Sequence, residues 1–117
     1  MRLYLLLFLC ISTIVKAQII VGNTTLEERE VIGGLNIPWE IKWGYDNHIW
    51  MTERPGIISR VNVETGEKNV ILDIQNIVYS GNNEAGLLGM EFHPDFSETH
   101  ILFITYTYTV GNQIKER

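Results

Sequence analysis

At 117 residues, with 45% apolar and 20% charged side chains, the chain has the composition of one globular domain and is too short for two. Ten glycines and three prolines in so apolar a sequence exclude collagen-like and low-complexity disordered chains. With 14 acidic against 9 basic residues and a net charge of -5, the chain lacks the gathered Lys and Arg that phosphate binding requires, which argues against a nucleic-acid partner.

The amino terminus reads as an address. Met1-Arg2 precedes an apolar run of 13 residues, Leu3 to Val15, and Val15-Lys16-Ala17 places short side chains at the minus-three and minus-one positions of a cut before Gln18. Residues 1-17 are therefore expected to be a secretory signal peptide, and the protein secreted or periplasmic. A spanning helix needs about 20 apolar residues, so this run is too short for a stable membrane anchor. Bulky Leu9 ahead of Cys10 also disfavours a lipoprotein anchor. Without residues 1-17 the chain keeps 100 residues, 7 basic and 14 acidic, for a net charge of -7 and no cysteine. A disulfide scaffold, a Cys nucleophile and thiolate-bound zinc are thereby excluded. Asn23-Thr24-Thr25 has the form of a glycosylation sequon, a pattern common by chance and without meaning in a bacterial exporter.

From Pro38 onward, β-branched and aromatic runs alternate with turn residues, and no ten-residue stretch has helical periodicity. Strands are expected at Trp39 to Trp43, His48 to Glu53, Ile57 to Asn62 and Lys68 to Asp73. The turns between them are Gly44-Tyr45-Asp46-Asn47, Arg54-Pro55-Gly56 and Val63-Glu64-Thr65-Gly66-Glu67. Such a four-stranded meander has the size of one propeller blade. After Tyr79-Ser80-Gly81-Asn82-Asn83-Glu84 the pattern restarts, with strands at Gly86 to Phe92 and Ile101 to Val110. Trp43-Gly44-Tyr45-Asp46 then falls on Phe92-His93-Pro94-Asp95 at an offset of 49 residues. Gln113-Ile114-Lys115-Glu116-Arg117 offers no closing strand. Ile49-Trp50-Met51 and Ile101-Leu102-Phe103-Ile104 are apolar on both faces, as in sheets covered on both sides. Trp39, Trp43 and Trp50 are expected to fill the space between blades.

Four segments occur in order and at family spacing: Leu35-Asn36-Ile37-Pro38-Trp39-Glu40-Ile41-Lys42-Trp43-Gly44, Ile49-Trp50-Met51-Thr52-Glu53-Arg54, Arg60-Val61-Asn62, and Glu84-Ala85-Gly86-Leu87-Leu88-Gly89-Met90-Glu91-Phe92-His93-Pro94-Asp95-Phe96. Together they resemble the amino-terminal part of the soluble glucose/sorbosone dehydrogenase family, the pyrroloquinoline quinone (PQQ) sugar dehydrogenases, from about Val31 to Val110. The resemblance implies an all-β, six-bladed β-propeller of which residues 18-117 make the first blade and part of the second. It also implies PQQ and Ca²⁺ at one mouth of the central channel, an aldose sugar oxidised at C1, and an external electron acceptor. The family's catalytic histidine, its arginine and its calcium ligands lie in later blades, so no catalytic residue and no metal ligand is expected in this chain, and no cofactor is expected to be held by it alone.

One family position carries over. The residue two before Gly86-Leu87-Leu88-Gly89 sits at the channel mouth and contacts the sugar or the cofactor rim; here it is Glu84. A carboxylate there accepts hydrogen bonds from two adjacent sugar hydroxyls. The plainer readings are a solvated turn residue or a partner of Arg54. His93 reads as a strand-ending turn residue satisfying backbone groups, and His48 and His100 as exposed. Glu53-Arg54 reads as an ion pair fixing a turn, and Asp46 and Asp95 as turn hydrogen-bonding residues. The alternative to the dehydrogenase is a noncatalytic extracellular propeller that binds a protein or glycan, as relatives of Hedgehog-interacting protein do.

Overall fold

A computed structural model describes residues 19-82 and 84-117. The leader read over residues 1-17, with Cys10 and the cut before Gln18, lies outside the described residues. The expected meander is present: β3 (Pro38–Trp43), β4 (His48–Glu53), β5 (Ile57–Asn62) and β6 (Lys68–Asp73) form one antiparallel four-stranded sheet in chain order. A second sheet follows, with β7 (Leu87–Phe92), β8 (Leu102–Val110) and β9 (Gln113–Glu116) also in chain order. The chain is thus all-β in architecture, with one complete blade and part of the next.

Three short elements depart from the expectation. A hairpin of β1 (Ile19–Val21) and β2 (Thr24–Leu26) precedes the first blade and is exposed throughout. One helical turn, α1 (Phe96–Thr99), stands between β7 and β8 and ends at His100 in the left-handed conformation. The third corrects the reading of the carboxy terminus: Gln113–Glu116 is a strand, paired with β8 from Thr107↔Glu116 to Val110↔Gln113. Its exposed side chains, only Ile114 among them apolar, carry little strand signal of their own. The edge of β8 recruits its backbone through a turn at Gly111.

The two sheets pack face to face through β7, which contacts both β3 and β4. Trp50 and Ile58 from the first sheet meet Leu87, Met90, Phe92 and Tyr106 from the second, with Leu72, Ile74 and Phe96 at the margin. Period-two alternation explains the selection, because Trp50↔Arg60 and Thr52↔Ile58 put these side chains on one face of the first sheet. Leu87 and Ile58 are fully buried, each contributing about 1.5–3 kcal/mol by removal from water. Trp50 carries most of the aromatic contact, standing edge-on to Phe92 and Phe96 at 5.4 and 5.8 Å. Gly44 makes room for it, since a Cβ at that position would fall on the Trp50 ring. Trp39 and Trp43 are 48% and 59% exposed and take no part in the packing between these two sheets, whereas Trp50 does. Alternation identifies an apolar face; it does not identify which neighbour covers it.

The repeat seen in the sequence is also a backbone repeat. The β3–β4 register shifts between Pro38 and Ile41, and the β7–β8 register shifts between Leu87 and Met90, the same offset of 49 at both ends. Each shift leaves one strand amide facing away from the ladder. A threonine hydroxyl on the return strand accepts it in both sheets: Glu40 N–H donates to Thr52 Oγ1 at 3.0 Å, and Gly89 N–H donates to Thr105 Oγ1 at 3.0 Å. Thr52 Oγ1 further donates to Leu88 O of the second sheet at 2.8 Å.

Candidate functional site at the loop carrying Glu84

The segment from Tyr79 to Gly86 links the two sheets and presents Glu84. Its two ends meet on Thr107 in β8. Tyr79 N–H donates to Thr107 O at 2.8 Å, and Thr107 N–H donates to Gly86 O at 3.0 Å. Thr107 Oγ1 accepts from Gly86 N–H at 2.8 Å and donates to Tyr79 O at 2.6 Å. Within the segment, Asn82 Oδ1 accepts from Ala85 N–H at 2.8 Å and from Glu84 N–H at 3.3 Å, the side-chain-to-backbone turn that asparagine favours. Arg54 lies beneath it: Leu87 N–H donates to Arg54 O at 2.8 Å, and Arg54 Nη2 approaches Ser80 O at 3.5 Å.

Gly86 is the residue that allows this approach. Its φ of 153° is in the half of conformational space that L side chains avoid, and a Cβ would fall on Arg54 Cγ and stand 2.6 Å from Arg54 O. Ala85 and Leu87 on either side are buried at 3% and 0%, so the chain dives into the core directly after presenting an exposed Glu84. The glutamate is thus a short, outward-facing carboxylate on an anchored base.

The other polar residues singled out in the sequence have structural partners. Asp46 Oδ1 accepts from Trp50 Nε1 at 3.0 Å, and Oδ2 accepts from Arg60 Nη1 at 2.8 Å. Burial works to raise the Asp46 carboxyl, but the Trp50 hydrogen bond and nearby backbone N–H groups, with His48 beside it, hold it below the ordinary aspartate value. His48 is half-buried rather than exposed; its Nδ1 donates to Asp46 O at 2.7 Å and is occupied in closing the turn. His93 Nδ1 accepts from Asp95 N–H at 3.1 Å, as expected of a turn residue, and His100 is exposed. The ion partner of Glu53 is Lys68 rather than the adjacent Arg54, and Glu53 Oε2 also accepts from Asn36 N–H at 2.7 Å. Burial works to raise Glu53, while Lys68 and the Asn36 amide hold it below its ordinary value.

Neither group implied by the resemblance finds a set of side-chain ligands among the described residues of this loop. Among the described residues no three His, Cys, Asp or Glu side chains stand together as a cation would require. Residues 79-86 contain no Lys or Arg, so the carboxylates of an anionic quinone find no side-chain cation on this loop. Sequence reasoning missed Thr107, Thr52 and Thr105. The available signal was the second offset: Thr52 and Thr105 are 53 residues apart, as are the return-strand partners Ile49 and Leu102 that face Trp43 and Phe92.

Known proteins share this fold. The family model for Glucose / Sorbosone dehydrogenase matches residues 35-117. Quinoprotein glucose dehydrogenase B of Acinetobacter calcoaceticus is 39% identical over 87 residues, covering 74% of this chain and 18% of that protein. Among solved structures, the PQQ-bound aldose sugar dehydrogenase of Streptomyces coelicolor superposes with a TM-score of 0.59 at 28% identity, over 75% of this chain and 25% of that one. A Thermus thermophilus oxidoreductase described as a glucose dehydrogenase gives a TM-score of 0.63 at 28% identity and the same coverage. The chain spans about a fifth to a quarter of the length of these relatives.

Proposed function

Because the chain belongs to the Glucose / Sorbosone dehydrogenase family, we propose that it forms the opening portion of an exported quinoprotein oxidoreductase that oxidises aldose sugars at C1 with PQQ and passes the electrons to an external acceptor. The observation that carries this reading is the family match over residues 35-117, which runs through both sheets and the whole Glu84-to-Phe96 block. The 39% identity with a quinoprotein glucose dehydrogenase supports the sugar and the cofactor class. When bound, the quinone supplies a two-electron acceptor and calcium supplies a Lewis acid. Both are held by residues other than those described.

What this chain contributes is binding and placement. Glu84 accepts hydrogen bonds from two neighbouring sugar hydroxyls and so orients the ring, while the buried Ala85-Gly86-Leu87 base resists its displacement. Residues 1-17 direct export, giving a secreted or periplasmic enzyme, and no described helix is long and apolar enough to cross a membrane. Residues 18-117 alone have no activity in this reading. The test uses the complete gene product loaded with PQQ and Ca²⁺, with an artificial dye as acceptor. Aldose-dependent dye reduction is expected, and its absence across common aldoses overturns the proposal.

A further inference from the structure

Resting on the reading of Glu84 as a sugar contact, we propose that Thr107 is a positioning residue for the sugar site, acting through its hydroxyl on the loop that carries Glu84. Thr107 lies on β8, 23 residues beyond Glu84 in the chain, yet it holds both ends of the loop. Its hydroxyl uses its one proton toward Tyr79 O and a lone pair toward Gly86 N–H, while its own amide and carbonyl take the remaining groups of the same two residues. One residue, itself only 9% exposed, therefore closes the loop with four hydrogen bonds.

Above this closure, Asn82 Oδ1 ties down the amides of Glu84 and Ala85. Glu84 is two residues from Gly86, and any rotation there is carried directly to the carboxylate. Two simultaneous hydrogen bonds to adjacent sugar hydroxyls tolerate little misplacement. Valine has the shape of threonine without the hydroxyl. At position 107 it would leave the buried Gly86 N–H and the part-buried Tyr79 O without that partner, a state relieved by opening the loop toward water. Serine keeps both hydrogen bonds.

The experiment compares Thr107→Val, Thr107→Ser and Glu84→Ala in the complete, PQQ- and Ca²⁺-loaded protein. Aldose KM and kcat are measured, together with hydrogen exchange of the Gly86 amide, which needs no turnover. Thr107→Val is expected to raise KM about tenfold, the loss of about one net hydrogen bond, with kcat within about twofold and faster Gly86 exchange. Thr107→Ser is expected to match wild type in all three. In the Glu84→Ala background, Thr107→Val is expected to add no further change in KM. A wild-type KM in Thr107→Val, or equal impairment of Thr107→Ser, overturns the positioning role while Glu84 stands. An unchanged KM in Glu84→Ala overturns the Glu84 reading itself, and the positioning role with it; Gly86 exchange then reports the loop closure alone.

Discussion

Lys42 and Glu91 form an ion pair across the boundary between the two sheets, and they are the same position of the repeat, 49 residues apart on β3 and β7. Equivalent residues of opposite charge thus face each other where the first strands of successive sheets lie side by side. The relationship continues at the strand starts, where Ile37 and Gly86, again 49 apart, both have positive φ. Ile37 O accepts from Arg54 N–H and Gly86 O from Thr107 N–H, both at 3.0 Å.

For this pair the expected behaviour is that of a surface contact. The hydrogen bond with Glu91 raises the Lys42 ammonium, and the bond from Lys42 holds the Glu91 carboxyl below its ordinary value. Glu91 therefore adds stability above the ordinary glutamate range and loses it as pH falls through its lowered folded value. In Lys42→Met, a carboxyl titration by NMR is expected to show Glu91 returning toward the ordinary value. The thermal midpoint should move little and less in high salt. Because the Phe92 N–H also lowers Glu91, the pairing is refuted by a Glu91 titration that does not rise at all in Lys42→Met.

Asp46 is expected to matter more. Its carboxylate joins the turn after β3 to the ring nitrogen of buried Trp50 and to Arg60. Asp46→Ala should cost about 1–3 kcal/mol in chemical denaturation of the complete protein, because Trp50 Nε1 loses its acceptor. Since the folded carboxyl lies below the ordinary aspartate value, the contribution is complete above about pH 4 and disappears as acid protonates it in the folded state. Asp46→Asn, which has no carboxyl to titrate, is expected to lose less stability than wild type between neutral and acid pH, and an equal loss contradicts this account.

Gly86→Ala is expected to be the most damaging small substitution. The backbone strain at φ 153° and the overlap with Arg54 together suggest about 2–4 kcal/mol. By contrast Gly22→Ala, at φ 61° in an open hairpin turn, meets nothing within 4 Å and should cost only the smaller left-handed penalty. Denaturant midpoints of the two variants check the order, and a reversed order contradicts the described loop base.

Glu84→Ala should raise the aldose KM about tenfold with little change in kcat, the signature of lost uniform binding. Glu84→Gln, which keeps one carbonyl acceptor, should fall between the two. Steady-state kinetics over several aldoses would show which hydroxyls matter, since a sugar lacking the contacted pair is insensitive to the substitution.

Much of the first blade was legible because its strands alternate β-branched and aromatic residues between turns rich in Gly, Asp and Asn, and those signals are local. The turn role of Asp46 was legible for the same reason. What was not legible depended on partners. Gln113–Glu116 becomes a strand only because β8 offers an edge, and the exposure of Trp39 and Trp43 depends on which face of β3 has a neighbour. His48 looked exposed because its return-strand position says nothing of the Asp46 carbonyl that binds its ring. Thr107 carries no local signal, since its function in the fold lies with residues 79 and 86, brought to it by the closing of the second sheet.

The threonine at the first register shift, Thr52, sets how the two sheets may slide. Thr52 Oγ1 accepts from the stray amide of its own sheet and donates a hydrogen bond to Leu88 O next door. A slip of β7 along β4 by one residue, about 3.3 Å, removes that acceptor and leaves a fully buried hydroxyl proton unmatched. Hydrophobic contact between the sheets tolerates such a slip more readily, because it has no direction. The hydroxyl therefore works as a vernier: apolar side chains bring the blades together, and a single proton reads whether they have stopped in the right place.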